Sequence, residues 1–121
     1  MGGVSKGNVI RVLARVYVDD LDGSLPLYER LTGDHAPHVF DYGPTRLAQV
    51  GDFLVIQSTD DQVRSHAATI AVRTMSPVVE AITQAGGQLL DGPAPGPNGA
   101  RLVARHPDGN ILEYIQVSDT D

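Results

Sequence analysis

The stretch His106-Pro107-Asp108-Gly109-Asn110-Ile111-Leu112-Glu113-Tyr114 sets a tight turn ahead of an apolar strand, and the strand carries one carboxylate, Glu113. A single acidic side chain among apolar neighbours is costly to bury unless it holds a partner or moves a proton. Glu113 is therefore the first candidate for a general acid or base, or for a group that contacts a ligand. An earlier stretch, Gly51-Asp52-Phe53-Leu54-Val55-Ile56-Gln57, repeats the same frame with Val55 in the place of Glu113. The histidines form no constellation with it. His35 and His38 are spaced i, i+3, but Gly33 and Pro37 argue against the helix on which that spacing would matter, and His106 belongs to a turn. His66 stands at the start of a strand-like segment, where it reads as an exposed residue. No GxGxxG or Walker pattern leads into a helix, so nucleotide binding is not supported. The serines fall at caps, strand ends or termini, without a nucleophile elbow or a Ser-His-Asp set. With no cysteine, thiolate metal sites, a cysteine nucleophile and a disulfide framework are excluded.

At 121 residues the chain is the size of one domain, long enough to bury a real core. Its net charge of -6, with nine Lys and Arg, argues against nucleic-acid and anionic-membrane partners, both of which need a basic surface, and favours neutral or cationic ligands. No apolar run approaches the ~20 residues that span a bilayer, and Met1 to Asn8 lacks the apolar centre of a signal peptide. These features predict a soluble, cytoplasmic protein with a flexible N-terminus over residues 1–8.

The elements that position Glu113 can be read by punctuation and period. Val9 to Val18 alternates as a strand. A helix follows from about Ser24 to Thr32, with Ser24 as cap, Pro26 in the first turn and Gly33 as stop. The same order returns about 54 residues later: a strand near Ala67 to Arg73, Ser76 as cap, Pro77 at the first helical position and Gly86-Gly87 as stop. Each half continues with three strands, His38 to Tyr42, Arg46 to Val50 and Phe53 to Ser58, then Gln88 to Leu90, Arg101 to Arg105 and Ile111 to Val117. The unit is βαβββ, used twice. Asp91 to Ala100, rich in Gly and Pro, reads as a loop near one rim of whatever the strands enclose.

This duplicated unit, the Val18-Asp19-Asp20-Leu21 turn into the first helix and the His106-to-Glu113 hairpin together resemble the vicinal oxygen chelate superfamily, which includes glyoxalase I, extradiol dioxygenases, methylmalonyl-CoA epimerase and the bleomycin-resistance proteins. The resemblance spans residues 9 to 118. It implies an α+β glyoxalase-like fold, a single domain over 1–121 in which two βαβββ modules, about 9–60 and 66–118, form a curved mixed sheet around a cavity, often in a homodimer. It also places the metal ligands of the family's enzymes on the first and last strands of each module. Those positions here are Leu13, Ala67, Val55 and Glu113. Three of them offer no donor atom, while a divalent ion wants about four to six N or O ligands. The expectation is therefore no metal cofactor; the alternative is a divalent ion held by Glu113 and His66, which needs a bulge to turn His66 inward.

With Leu13 inward, strand parity puts Arg15, Tyr17, Phe53, Val55, Gln57, Ala67, Thr69, Ile111 and Glu113 on the concave surface with it, joined by Ala71 and Ile115. Such a lining, apolar with a few polar handles, suits capture of a small organic ligand. Arg15 and Glu113 can be each other's partner, as a plain structural pair or as the polar end of a ligand site. Tyr17 is either an aromatic wall or a hydrogen-bond donor. Three functions follow. The first is a metal-independent binding protein of the glyoxalase/bleomycin-resistance type, holding an organic ligand in an apolar cavity at a dimer interface. The second is a glyoxalase-like lyase, isomerase or dioxygenase, with Glu113 and Tyr17 as acid and base or Glu113 as metal ligand. The third is an interaction module whose cavity is filled by its own side chains.

Overall fold

The computed structural model describes residues 7–96 and 99–117. In chain order the elements are β1 (Val9–Val18), α1 (Leu21–Thr32), β2 (His38–Tyr42), β3 (Thr45–Val50), β4 (Phe53–Gln57), α2 (Asp61–Arg64), β5 (Ala68–Val72), α3 (Ser76–Gln84), β6 (Gln88–Gly96), β7 (Gly99–Arg105) and β8 (Ile111–Gln116). The fold is α+β, with a βαβββ order on each side of α2. All eight strands join one mixed sheet in the order β2-β3-β4-β1-β5-β8-β7-β6. Within each half the first and last strands run parallel, β1 with β4 and β5 with β8, and the halves meet along the antiparallel β1–β5 pair. The sheet curls so far that β2 at one edge reaches β7 near the other: Arg101 Nη1 donates to Tyr42 Oη at 3.3 Å, with the guanidinium 5.0 Å from the ring centre. Of the expected flexible stretch over residues 1–8, only Gly7 and Asn8 are described, and Asn8 is tied to Thr74 through both its amide atoms. The end of the second module at residue 118 also lies outside the described residues.

Each face of the sheet has its own core. On the outer face Leu21 and Leu25 of α1 pack on Ala48, Val50 and Val55, and Val78 and Ile82 of α3 pack on Ile70, Leu102 and Tyr114. Fully buried side chains of this size contribute roughly 1.5–3 kcal/mol each. On the inner face Leu13, Leu47, Leu54 and Ile56 form a third cluster with Tyr17, Phe40 and Val63 against it.

Helix α1 starts three residues before the expected cap. Asp20 takes the cap position with extended backbone, Ser24 N already bonds back to the Asp20 carbonyl, and Pro26 lies inside the helix beyond its first turn. The free N–H of Leu21 finds its acceptor elsewhere, in the Gln57 side chain at 2.8 Å. The second half repeats the device: Met75 precedes α3 as its cap, Ser76 is the first helical residue, and the Gln116 side chain accepts from Met75 N at 2.9 Å. In both halves the end of the last strand therefore satisfies the start of the helix, which sequence-local capping rules do not anticipate.

Two further expectations are corrected. Where described, Asp91 to Ala100 is not a loop but part of the β6–β7 ribbon, with Ala94 opposite Arg101 and Gly96 opposite Gly99. Its prolines are tolerated because β6 is an edge strand, and register shifts around Asp91 let the ladder step past Gly92 and the cis Gly92–Pro93 bond. The equivalence of Val55 with Glu113 is one residue out. Arg15 pairs with Leu54 as its 54-residue counterpart Thr69 pairs with Glu113, so Leu54 matches Glu113. The glycine is a false anchor. Gly51 and Gly109 both lie two residues before the first paired residue of their strand, Phe53 and Ile111, but the β7–β8 ladder runs one pair further toward its turn, so Glu113 stands two residues from that end and Leu54 one.

Candidate functional site

Four expected residues, Leu13, Arg15, Thr69 and Glu113, come together on the inner face where the two halves meet. Thr69 Oγ1 donates to Glu113 Oε1 at 2.9 Å and accepts from Arg15 Nη1 at 2.7 Å, and the same Nη1 reaches Glu113 Oε1 at 3.0 Å. Arg15 is fixed by two more bonds, Nε to Tyr17 Oη at 2.8 Å and Nη2 to the Val63 carbonyl at 3.2 Å. The other carboxylate oxygen of Glu113 accepts from Arg101 Nε at 3.1 Å. Glu113 is thus clamped between two guanidiniums whose side chains are 3% and 8% exposed, while its own is 14% exposed. Beyond Arg101, Asp91 Oδ2 completes the chain at 2.9 Å. Burial alone would lower the pKa of Arg101, but the carboxylates of Asp91 and Glu113 outweigh it and hold the guanidinium above its ordinary range.

Arg101 and Asp91 are the residues that the sequence reading missed. The signal for Arg101 was present: Leu102 and Ala104 belong to an apolar face, so the alternating Arg101, Val103 and Arg105 must share the other one with Glu113. Asp91 was hidden by the Gly-Pro composition around it.

Parity holds for β1, β5 and β8 and fails on β4. Phe53, Val55 and Gln57 point to the outer face, where Val55 is fully buried under α1, Phe53 meets the Tyr28 ring edge-on at 5.1 Å and Gln57 caps the helix. The one-residue slip explains all three, since it exchanges the faces of a strand; Leu54 and Ile56 take their places inside. Ala67 precedes β5, is exposed, and uses its N–H on the Ile111 carbonyl. Tyr17 does face inward, but its hydroxyl donates to the His66 carbonyl at 2.6 Å, with the Val63 carbonyl at 3.1 Å, and accepts from Arg15. Its proton is committed to backbone.

Two spaces adjoin this network. The inner one, about 170 Å³, is walled mainly by apolar side chains, among them Leu13, Phe40, Leu54 and Ile115, with Thr69, Arg101 and Glu113 at its polar end. Both halves of a single chain supply these walls. The outer one, about 520 Å³, is more polar and is lined by Gln62, Ser65, His66, Asp91, Arg105 and Ile111. Arg101 and Tyr42 line both. His66, expected as an exposed strand-start residue, is half-buried on the outer chamber, because the turn after α2 rather than strand parity sets its direction. Its Nδ1 is buried without a hydrogen-bond partner among the described residues. Burial first, then the positive charge of Arg15, lowers the His66 pKa from the ordinary 6.5, with Glu113 opposing.

That shift has a testable sign. Between the lowered folded value and 6.5 the unfolded chain binds more protons, so stability rises with pH through this window and is lost as pH falls below 6.5. Urea midpoints of wild type and His66→Gln, compared at about pH 7.5 and about pH 5.5, are expected to diverge, with the variant losing less on acidification.

The divalent ion that the resemblance implies does not fit these residues. Both Glu113 oxygens already face guanidiniums, Arg15 and Arg101 would repel a cation, and Leu13 and Leu54 occupy neighbouring inward positions. Among the described residues, no group of three or more His, Cys, Asp or Glu is arranged to hold a metal.

No protein-family model and no curated protein matches the chain. Solved structures do. An uncharacterised protein from Methanosarcina mazei is 27% identical, with a TM-score of 0.85 over 95% of this chain and 98% of that one. The methylmalonyl-CoA epimerase of Mycobacterium tuberculosis is 14% identical, with a TM-score of 0.67 over 95% of this chain and 93% of its own. That of Streptomyces coelicolor, as a single-site variant in complex with 2-nitronate-propionyl-CoA, is 16% identical with a TM-score of 0.68 over 94% of this chain and 99% of its own. With its two βαβββ halves, its curled eight-stranded sheet and these structural relatives, the chain has a glyoxalase-like α+β fold.

Proposed function

We propose that this protein binds a small organic molecule in the inner cavity without a metal ion. The observation that carries the reading is the clamp on Glu113. A carboxylate held through both oxygens by two buried guanidiniums is neither a free metal ligand nor a free base, and with Thr69 and Arg101 it forms a polar end of a cavity whose walls are mainly apolar. At about 170 Å³ the cavity suits a ligand part about the size of one aromatic ring, since a cavity of roughly 150 Å³ holds benzene. The acidic exterior is a poor guide to the ligand's charge, because the charged groups nearest the cavity include two arginines. Thermal-shift screening of small cyclic organic molecules tests the reading. Hits are expected to raise the melting temperature of the wild type and to lose that effect in Ile115→Trp, which fills the cavity from β8. Hits that survive Ile115→Trp would place binding elsewhere.

An isomerase or lyase reading, which the methylmalonyl-CoA epimerases among the structural relatives favour, would rest on His66 rather than on Glu113 and Tyr17. His66 is the half-buried group with an unengaged ring nitrogen next to the cavity, whereas Tyr17 and Glu113 are already committed. Turnover of a small oxygenated substrate would then fail in His66→Gln and survive in Tyr17→Phe.

A further inference from the structure

Arg101 is the charged side chain common to the inner cavity and the outer chamber, and its two acidic partners are held very differently. Glu113, 14% exposed, grips Nε from the inner side. Asp91, 63% exposed, meets Nη1 from the outer side, on an edge strand beside a register shift. Moving Glu113 would leave Arg15 buried without a counter-charge and Arg101 with Asp91 alone. Moving Asp91 costs far less, because its carboxylate is already mostly hydrated.

From this asymmetry we infer that Asp91 is an internal stand-in for the carboxylate of the ligand, so that the molecule bound is a small monocarboxylate with an apolar body. The inference rests on the cavity reading above and deepens it. The body enters the inner cavity; the carboxylate displaces Asp91 and takes the outward edge of Arg101, a planar fork that matches carboxylate geometry. Glu113 stays in place and keeps the guanidinium aimed. A second observation points the same way. His66 lines the same outer chamber as Asp91 and Arg101 with its Nδ1 buried and unpartnered, and a neutral imidazole protonated at Nδ1 donates to the second carboxylate oxygen once the ring turns toward it. Arg105 adds positive charge to the chamber, while the Asp60 carboxylate is engaged in capping α2 through Gln62 N.

The test uses the full chain and three probes of one shape: phenylacetate, its neutral isostere phenylacetamide, and toluene, titrated by calorimetry. Phenylacetate is expected to bind about tenfold more tightly than the amide, the difference made by a charge-assisted pair. Asp91→Asn removes the competitor and is expected to tighten phenylacetate about three- to tenfold while leaving toluene unchanged. Arg101→Gln is expected to erase the preference for acid over amide. Asp91 is exposed, so Asp91→Asn keeps the inference falsifiable even if Arg101→Gln does not fold. Phenylacetate, and not toluene, is also expected to move the His66 NMR titration to higher pH. If toluene and the amide bind as well as the acid, or if Asp91→Asn leaves phenylacetate binding unchanged or weaker, this inference falls and the cavity reading stands. If none of the three binds, both fall.

Discussion

Replacing Glu113 with alanine is expected to destabilise the protein by about 3–5 kcal/mol, the cost of leaving a buried ion-pair network without its shared partner. Among the described residues Glu113 is the carboxylate that touches both Arg15 and Arg101, and each of the three side chains is largely buried. Removing it juxtaposes two guanidiniums without an intervening negative charge and strips Thr69 of its acceptor. For a chain of this length the melting temperature should fall by roughly 10–20 °C, measurable by circular dichroism. The network is a specificity device rather than a source of net stability, which sets a second expectation. Changing Arg15, Glu113 and Arg101 together to methionine should recover most of the loss, because an apolar set of similar volume carries no desolvation penalty. A loss below about 1 kcal/mol in Glu113→Ala would mean that the clamp is open to water and that Glu113 is available for chemistry.

Gly92→Ala is expected to be comparably damaging, by about 2–4 kcal/mol from backbone strain and overpacking combined. Gly92 has φ +84°, and a Cβ there would lie 2.5 Å from the Arg101 carbonyl oxygen and 3.0 Å from Ala94 N. Neither is a side-chain end that can swing aside. In an open loop the positive φ alone would cost about 1–2 kcal/mol, so the loss beyond that measures whether β6 is seated on β7. The damage should reach the site as well, since Arg101 is the residue displaced. Weaker phenylacetate binding together with a reduced denaturation midpoint would report both effects in one variant. A midpoint within experimental error of the wild type would contradict the ribbon.

Much of the architecture was legible because the chain punctuates itself with glycine and proline. Gly33 and Gly86-Gly87 end the two long helices, and the interval of about 54 residues between Arg15 and Thr69 survives as direct hydrogen-bonded contact in the folded chain. Inward placement of Arg15, Thr69 and Glu113 followed from strand period once the resemblance had set Leu13 on the inner face. What failed depends on information that is not local. The face of β4 hangs on its register with β1, which the turn glycine does not encode, and a one-residue slip sent Phe53, Val55 and Gln57 to the wrong side. Both helix starts are satisfied by glutamines from distant strands, Gln57 and Gln116, which no capping motif near Ser24 or Ser76 encodes. The Gly-Pro run after Asp91 looks like a loop until β7 provides a partner on one side and leaves the prolines at an edge. With that strand misread Asp91 could not be found, whereas Arg101 lay within reach of strand parity on β7. The acidic composition likewise described the exterior, while around the cavity two buried arginines stand against Glu113 and Asp91.

Arg15 and Arg101 close Glu113 to metal, and metal binding by untagged protein tests that closure most directly. Chelated protein dialysed against Zn²⁺, Mn²⁺, Ni²⁺ or Fe²⁺ should retain far less than one equivalent of any of them, and its melting temperature should not move. One equivalent of a bound ion, stabilising the fold in proportion to its concentration and lost in Glu113→Gln, would contradict it. Such a result would mean that the clamp opens, that His66 or another donor turns toward Glu113, and that metal-assisted chemistry takes the place of ligand capture.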